Sequence, residues 1–296
     1  MTTDPDVPAQ PPAGSGATSQ SEPGSAPAGL APTGVAATGV APEAAAAADP
    51  PPNLPTPTPT PTPAPTPTPA LAATGLGLQH GSDWIFRDVD LTVAPGTLAA
   101  VVGPAGSGRS SLLLTLAGRM QPTAGTLSVL GHARAADAAA VRELTSVARA
   151  AGVIGPEPAL TVRESIDERC LVDDVDPAEG HLRFERACAA MQFTPDPTAL
   201  VETVVGERGT LLAVALAYVR TSAVIVLDDL DRDIAPAARR PAAQALSRLA
   251  ATGPAIVVAA TDRSAVPGAD PIVDLPAPAG HPAWTFDPAA PTEATA

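Results

Sequence analysis

The chain has 296 residues, enough for one or two domains, with a net charge of −14 and aromatic residues at only 2%. All 17 cationic side chains are arginine, and no lysine occurs anywhere. That acidic balance leaves no basic patch to neutralise a phosphate backbone, so a nucleic-acid partner is not expected. The N-terminus has neither a basic stretch nor an apolar core of the secretory type. No run of about 18 apolar residues exists, so no direct membrane span is expected. Cys170 and Cys188 are not spaced as metal ligands and read as reduced, packed thiols.

Residues 1–72 are Pro, Ala, Thr, Gly and Ser with almost no large apolar side chains. Such a segment cannot bury enough surface to offset chain entropy, and it is read as a long disordered tail and linker. Its Thr-Pro repeat, 55–69, favours polyproline II at about 3.1 Å per residue, a spacer or tether of roughly 50 Å.

The folded part is read as 73–282. Leu76-Gly77-Leu78-Gln79 and 84–93 predict two strands joined by a turn at His80-Gly81-Ser82-Asp83. After a turn at Ala94-Pro95-Gly96, the segment 97–102 predicts a buried strand. Gly103-Pro104-Ala105-Gly106-Ser107-Gly108-Arg109-Ser110-Ser111 follows, and Ser111-Leu112-Leu113-Leu114-Thr115-Leu116-Ala117 predicts a helix. Strand, glycine-rich turn and helix are the setting of a phosphate-binding loop. The glycines let successive N–H groups point into one concavity, and the helix adds its free N–H groups and positive dipole end. Ser110 stands where a hydroxyl would ligate Mg²⁺. The pattern calls for lysine at position 109, and this chain has arginine.

Residues 136–201 read as a helical insertion, with helices over 163–171 and 180–191. A helix over 207–220 precedes the apolar strand 223–227, which ends in Asp228-Asp229. The helix 235–251 and the strand 255–260 complete the pattern. Continuous apolar strands alternating with helices predict a parallel sheet covered on both faces. Residues 283–296 read as a loose C-terminal tail.

The order of these motifs resembles the ATP-binding subunit of an ABC transporter. The resemblance rests on Phe86-Arg87-Asp88-Val89-Asp90-Leu91, the glycine loop, Pro122-Thr123-Ala124-Gly125, Leu160-Thr161-Val162-Arg163-Glu164 and the strand end at Asp228. The Arg109 loop places it with a degenerate, actinobacterial-type subset that carries Gly-Ser-Gly-Arg there. The resemblance implies an α/β fold with a P-loop NTPase (RecA-like) core, an antiparallel N-terminal β portion and the helical insertion. It implies ATP and Mg²⁺ as cofactors. Gly103 to Ser111 would hold the phosphates, with Mg²⁺ at Ser110 and Asp228 and adenine on His80, for which Trp84 is the other candidate. Asp229 would position the attacking water and Arg109 would stabilise charge. It also implies a cytoplasmic location at the inner face of the cell membrane, an integral membrane permease as a separate chain, and a homo- or heterodimer of cassettes.

Several family features are absent. No glutamine lies between Gln121 and Gln192, and Ile154-Gly155-Pro156-Glu157 stands in its place. The signature loop reads Thr203-Val204-Val205-Gly206-Glu207, without its serine, and Thr261 replaces a histidine. Ala235 stands where the dimer loop carries an acid. Each lost group is a positioned donor, acceptor or base, so hydrolysis is expected to be impaired. Two other readings stay open: a degenerate cassette acting as a nucleotide-binding or purely protein-binding scaffold, and a soluble P-loop phosphotransferase.

Overall fold

The computed structural model describes residues 68–150 and 152–277. Residues 1–67, which hold most of the span read as tail and of the Thr-Pro repeat, and the C-terminal tail from 283 lie outside the described residues. Two strands open the described fold, β1 (Leu71–His80) and β2 (Asp83–Val93), paired antiparallel through the tight turn at Gly81-Ser82. They form a four-stranded antiparallel sheet with β4 (Ala124–Val129) and β5 (His132–Ala133), in the order β2-β1-β4-β5. The first strand begins at Leu71, inside the span read as tail. Ala70, Leu71 and Ala73 are buried, so these small apolar residues join a core that their Pro-rich surroundings concealed.

The second sheet is parallel, in the order β6-β7-β8-β3-β9. Its strands are β3 (Leu98–Val102), β6 (Thr145–Arg149), β7 (Val224–Leu227), β8 (Ala255–Ala260) and β9 (Ile272–Asp274). Every residue of β3, β7 and β8 is buried. Both sheet faces are covered, which is why these strands read as continuous apolar runs rather than alternating ones. Leu98, Ala100, Val102, Ile225 and Leu227 face one core; Ala99, Val101, Val224 and Val226 face the other.

The second core also takes Leu112, Leu113 and Leu116 of α1 (Arg109–Leu116) and the inner face of the antiparallel sheet. The first core is closed by α3 (Val162–Val172), α4 (Pro177–Met191), α5 (Gly206–Ala217) and α6 (Pro236–Ala250). The start of α3 explains one motif locally. Thr161 Oγ1 accepts from Glu164 N at 3.2 Å while Glu164 Oε2 accepts from Thr161 N at 2.8 Å, a reciprocal cap for the first turn.

The helical insertion needs one correction. Its first part, α2 (Ala138–Glu143) and β6, belongs to the core, since β6 is an edge strand of the parallel sheet and pairs with β7. The polar Thr145 and Ser146 disguised it. Both are buried: Thr145 Oγ1 donates to Ala117 O at 2.7 Å, and the Ser146 hydroxyl bonds to that of Ser222. The short β9 was also not read from the sequence. No helix among the described residues is long and apolar enough to cross a membrane.

Candidate functional site

The chain leaves β3 at Val102 and turns through residues 103–108 into α1. Gly106 and Gly108 adopt φ of 78° and 89°, the left-handed region that glycine enters without steric penalty. At Gly108 the need is double, because an added Cβ would sit 2.5 Å from the carbonyl oxygen of Ile85 in β2. Pro104, Ala105 and Gly106 are exposed at the tip, whereas Ser107 is buried. Ser107 Oγ is buried without a hydrogen-bond partner among the described residues and lies against Gly103, where an added Cβ would sit 2.6 Å from it. Leu112 N donates to Gly108 O at 2.8 Å. The N–H groups of Arg109, Ser110 and Ser111, one turn earlier, have no intrahelical acceptor by the geometry of a helix start. No acidic residue occupies that first turn, so the positive end of the helix is not neutralised from within. The loop is therefore a cradle for an anion.

Arg109 does not extend freely from this cradle. Its Nη1 donates to Gly103 O and, at 2.8 Å, to Pro104 O. Its Nη2 donates to Asp229 Oδ1 at 3.2 Å, closing an ion pair in which the two side chains are 10% and 23% exposed. The arginine thus curls across the carbonyl side of its own loop and reaches the carboxylate that the sequence reading paired with it in catalysis.

Asp228 and Asp229 follow directly on β7. Asp228 is wholly buried, and its Oδ1 accepts from Asp229 N at 2.9 Å. Asp229 lies in the left-handed region, φ 48°, which turns its carboxylate back toward α1. Its second oxygen is 4.0 Å from Arg232 Nη1. The sequence reading missed one member of this cluster. Arg149, the last residue of β6, donates from Nη2 to Asp229 O at 2.9 Å and to Asp228 O at 3.4 Å. Burial pulls the Arg149 guanidinium below its ordinary pKa, with the Asp229 charge opposing that shift. Its signal would have been a charged residue closing a short run of small buried ones, once that run had been recognised as a strand.

The remaining sequence-predicted groups stand elsewhere. His80 is exposed at the end of β1, opposite Asp83, and makes no hydrogen bond to the loop among the described residues. Trp84 packs its ring over Gly77, where an added Cβ would sit 2.8 Å from Cζ3, and it immediately precedes Ile85, which touches the loop. Thr261, in the histidine position, is held by Asp231, whose Oδ2 accepts from Thr261 N at 3.1 Å and from its hydroxyl. Gly206, from the signature segment, starts α5 with φ 62°, and Val205 before it is 71% exposed.

The donor set suits Mg²⁺ held with a phosphate. Ser110 supplies a hydroxyl and Asp228 a carboxylate, and Mg²⁺ ordinarily takes one or two carboxylates while phosphate and water fill its octahedron. Among the described residues no group of three or more His, Cys, Asp or Glu could hold a metal alone.

Residues 86–231 match the family model for ABC transporters. The chain is 46% identical over 63 residues to a hemin import ATP-binding protein of Gloeobacter violaceus, covering 21% of this chain and 23% of that protein. It is 26% identical over 211 residues to an ABC transporter ATP-binding/permease protein of Mycobacterium tuberculosis, covering 70% of this chain and 24% of that one. It therefore spans about a quarter of the length of either relative. Among solved structures, a bacterial ABC transporter cassette in dimeric form superposes with a TM-score of 0.58 at 17% identity, covering 70% of this chain and 94% of the cassette. The same cassette bound to ADP and Pi gives 0.57 at 17%, covering 69% and 94%. Loop, strand ends and sheet topology thus stand with the sequence matches, and residues 86–231 form an ATP-binding cassette of the ABC transporter family.

Proposed function

We propose that this chain is the ATP-binding subunit of an ABC-type transport system, working at the inner face of the cell membrane through a separate integral membrane partner. The observation that carries the nucleotide part is the loop itself. Left-handed glycines and the un-neutralised start of α1 converge on one anion site. The N–H groups of residues 106–111 bind the phosphates, and Ser110 with Asp228 would hold Mg²⁺. The ion, when bound, draws charge from the β- and γ-phosphates. To reach those phosphates Arg109 gives up Asp229 and the carbonyls of Gly103 and Pro104. Asp229, once released, orients the attacking water. The relatives' names support the coupling part, since one names import and another joins an ATP-binding unit to a permease. The dimeric neighbour supports a pair of cassettes, of the same or different kinds.

Hydrolysis by the chain alone is slow on this reading. Asp229 is one methylene shorter than the glutamate usual there, and a misplacement of about 1 Å can cost ~10²-fold. Both its carboxylate oxygens face arginines, and Thr261 is tied to Asp231. These observations also favour the second reading, a cassette that binds nucleotide and acts as a scaffold or regulator without turnover. Titration calorimetry with Mg-ATP tests the proposal on the full chain and on Arg109→Ala and Arg109→Lys. Binding in the micromolar to sub-millimolar range that Arg109→Ala abolishes supports it. Hydrolysis gained by Arg109→Lys would identify the loop as the limiting defect. No binding at millimolar ATP overturns the nucleotide reading.

A further inference from the structure

We infer that Arg149 is a positioning residue for the two carboxylates at the end of β7, setting the direction in which Asp228 meets a magnesium ion and Asp229 meets water. This rests on the nucleotide-binding reading above and adds a residue to it.

The geometry begins in β6. Its pairing with β7 runs Val147 opposite Val226, then Arg149 opposite Leu227, so two steps of β6 span one step of β7. An extra residue of this kind bends a strand and re-aims the side chain beyond it. Here it brings the Arg149 side chain alongside the turn that follows Leu227. The main chain of Arg149 also takes part, because its carbonyl accepts from Asp228 N at 2.9 Å. The Asp228-Asp229 segment is therefore gripped twice by one residue, through the N–H of Asp228 and through the carbonyls of Asp228 and Asp229.

The choice of acceptors matters. The Nη2 of Arg149 bonds to main-chain carbonyls, and Arg109 supplies the hydrogen bond to the Asp229 carboxylate. A half-buried guanidinium has few waters to turn to, so its bonds to these carbonyls resist exchange with solvent. They also hold Asp229 in the left-handed region, φ 48°, where a residue with a side chain persists only if its surroundings over-determine it. If that turn relaxed to an ordinary strand exit, the Asp229 carboxylate would swing away from α1. Asp228, whose Oδ1 is oriented by Asp229 N, would turn with it.

The test compares ATP affinity of the full chain in EDTA and in saturating Mg²⁺, for the unaltered protein, Arg149→Lys and Arg149→Met. Lysine keeps the charge but ends in a compact ammonium on a shorter, flexible stem, so it does not hold the planar guanidinium geometry that places Nη2 between the two carbonyls. The expected result is that Arg149→Lys binds ATP in EDTA within about twofold of the parent but loses about tenfold of the affinity gained from Mg²⁺, the scale seen when groups that orient a metal ligand are removed. Arg149→Met loses at least as much of that gain. Thermal midpoints show whether each variant is folded, and Arg149→Lys keeps the comparison available if methionine unfolds the chain. Three results overturn the inference. One is a magnesium gain unchanged in Arg149→Lys. Another is a parallel fall in both conditions, which would mean general damage. The last is no ATP binding by the parent, which alone also refutes the nucleotide reading.

Discussion

The ion pair between Arg109 and Asp229 makes a prediction opposite to the usual effect of removing a site carboxylate: Asp229→Asn should tighten nucleotide binding. Arg109 Nη2 is 3.2 Å from Asp229 Oδ1, with both side chains largely shielded. At an effective dielectric of about 20, the gross attraction at that distance is about 5 kcal/mol. Desolvation offsets most of this, and hydrogen bonds to charged groups contribute about 1.5–3 kcal/mol net. Asparagine still accepts a neutral hydrogen bond worth about 1 kcal/mol. The substitution should therefore free about 0.5–2 kcal/mol that a nucleotide no longer spends in detaching Arg109, or roughly two- to thirtyfold in dissociation constant. It also removes a negative charge from the neighbourhood of an incoming triphosphate. The assay is calorimetric titration with ATP in EDTA, where Mg²⁺-dependent turnover is absent and only binding is read. Arg232→Ala serves as a control, because its contact with Asp229 is 4.0 Å long and its side chain is 59% exposed. Exposed pairs of that kind contribute about 0–1 kcal/mol, so its affinity should hardly change. An Asp229→Asn affinity equal to or weaker than the parent's would refute the ion pair as a competitor for the phosphate.

Gly108→Ala should weaken ATP binding and lower stability by about 1–3 kcal/mol, because its Cβ meets the Ile85 carbonyl at 2.5 Å and its φ is 89°; denaturant titration and ATP calorimetry read the two effects. Gly180→Ala in α4 places a Cβ 2.1 Å from Cys170 Sγ and should cost about 1–3 kcal/mol by overpacking. The double variant Gly180→Ala/Cys170→Ala should recover most of that loss. Thr161→Ala, which removes half of the reciprocal cap on α3, should cost about 1 kcal/mol in the same titration. Cys188 is pushed up to about 12 by burial, from 9.0. A thiol whose folded pKa is raised keeps its proton while the unfolded chain loses its own. Stability should thus be flat in this thiol below pH 9 and fall by at most about 1.4 kcal/mol per pH unit above it, and Cys188→Ala should make the measured slope shallower, leaving the part due to Cys170, whose thiol burial also raises.

The parts of the fold legible in the sequence were those whose burial is uniform. Strands β3, β7 and β8 face a core on each side, so their apolar runs announce a parallel sheet before any coordinate is known. The same physics hid β6. It is an edge strand with a buried threonine and serine satisfied by hydrogen bonds from distant parts of the chain, Ala117 O at 28 residues' separation and Ser222 Oγ at 76. Those partners are invisible to periodicity, and with them went the boundary between core and helical insertion. Strand β1 was shortened for a related reason. Leu71 is buried through its pairing with Val93 and Val129, while its sequence neighbours are prolines and alanines.

The site divides along the same line. The glycine loop, Ser110 and the Asp228-Asp229 pair are local motifs, and their places in the fold match their spacing. What the spacing does not carry is how the charges are shared. Nothing local says that Arg109 turns back onto the carbonyls of residues 103 and 104, or that it meets Asp229 across 120 positions of chain. Nor does anything local say that Arg149, 80 positions before Asp229, carries the hydrogen bond that fixes it. The substitution of arginine for lysine at 109 is explained by these contacts rather than by a longer reach alone. A lysine ammonium gathers its donors on one nitrogen at the end of a shorter stem, whereas Arg109 spreads them, Nη1 to the two loop carbonyls and Nη2 to a carboxylate on another strand. The planar fork links the end of β3 to the end of β7 across the intervening β8. The arginine is thus a structural tie, and on the proposed reading it serves as a phosphate ligand only by letting go. The cost of that exchange is what Asp229→Asn measures from one side and Arg109→Lys from the other: the first removes the competitor, and the second removes the tie.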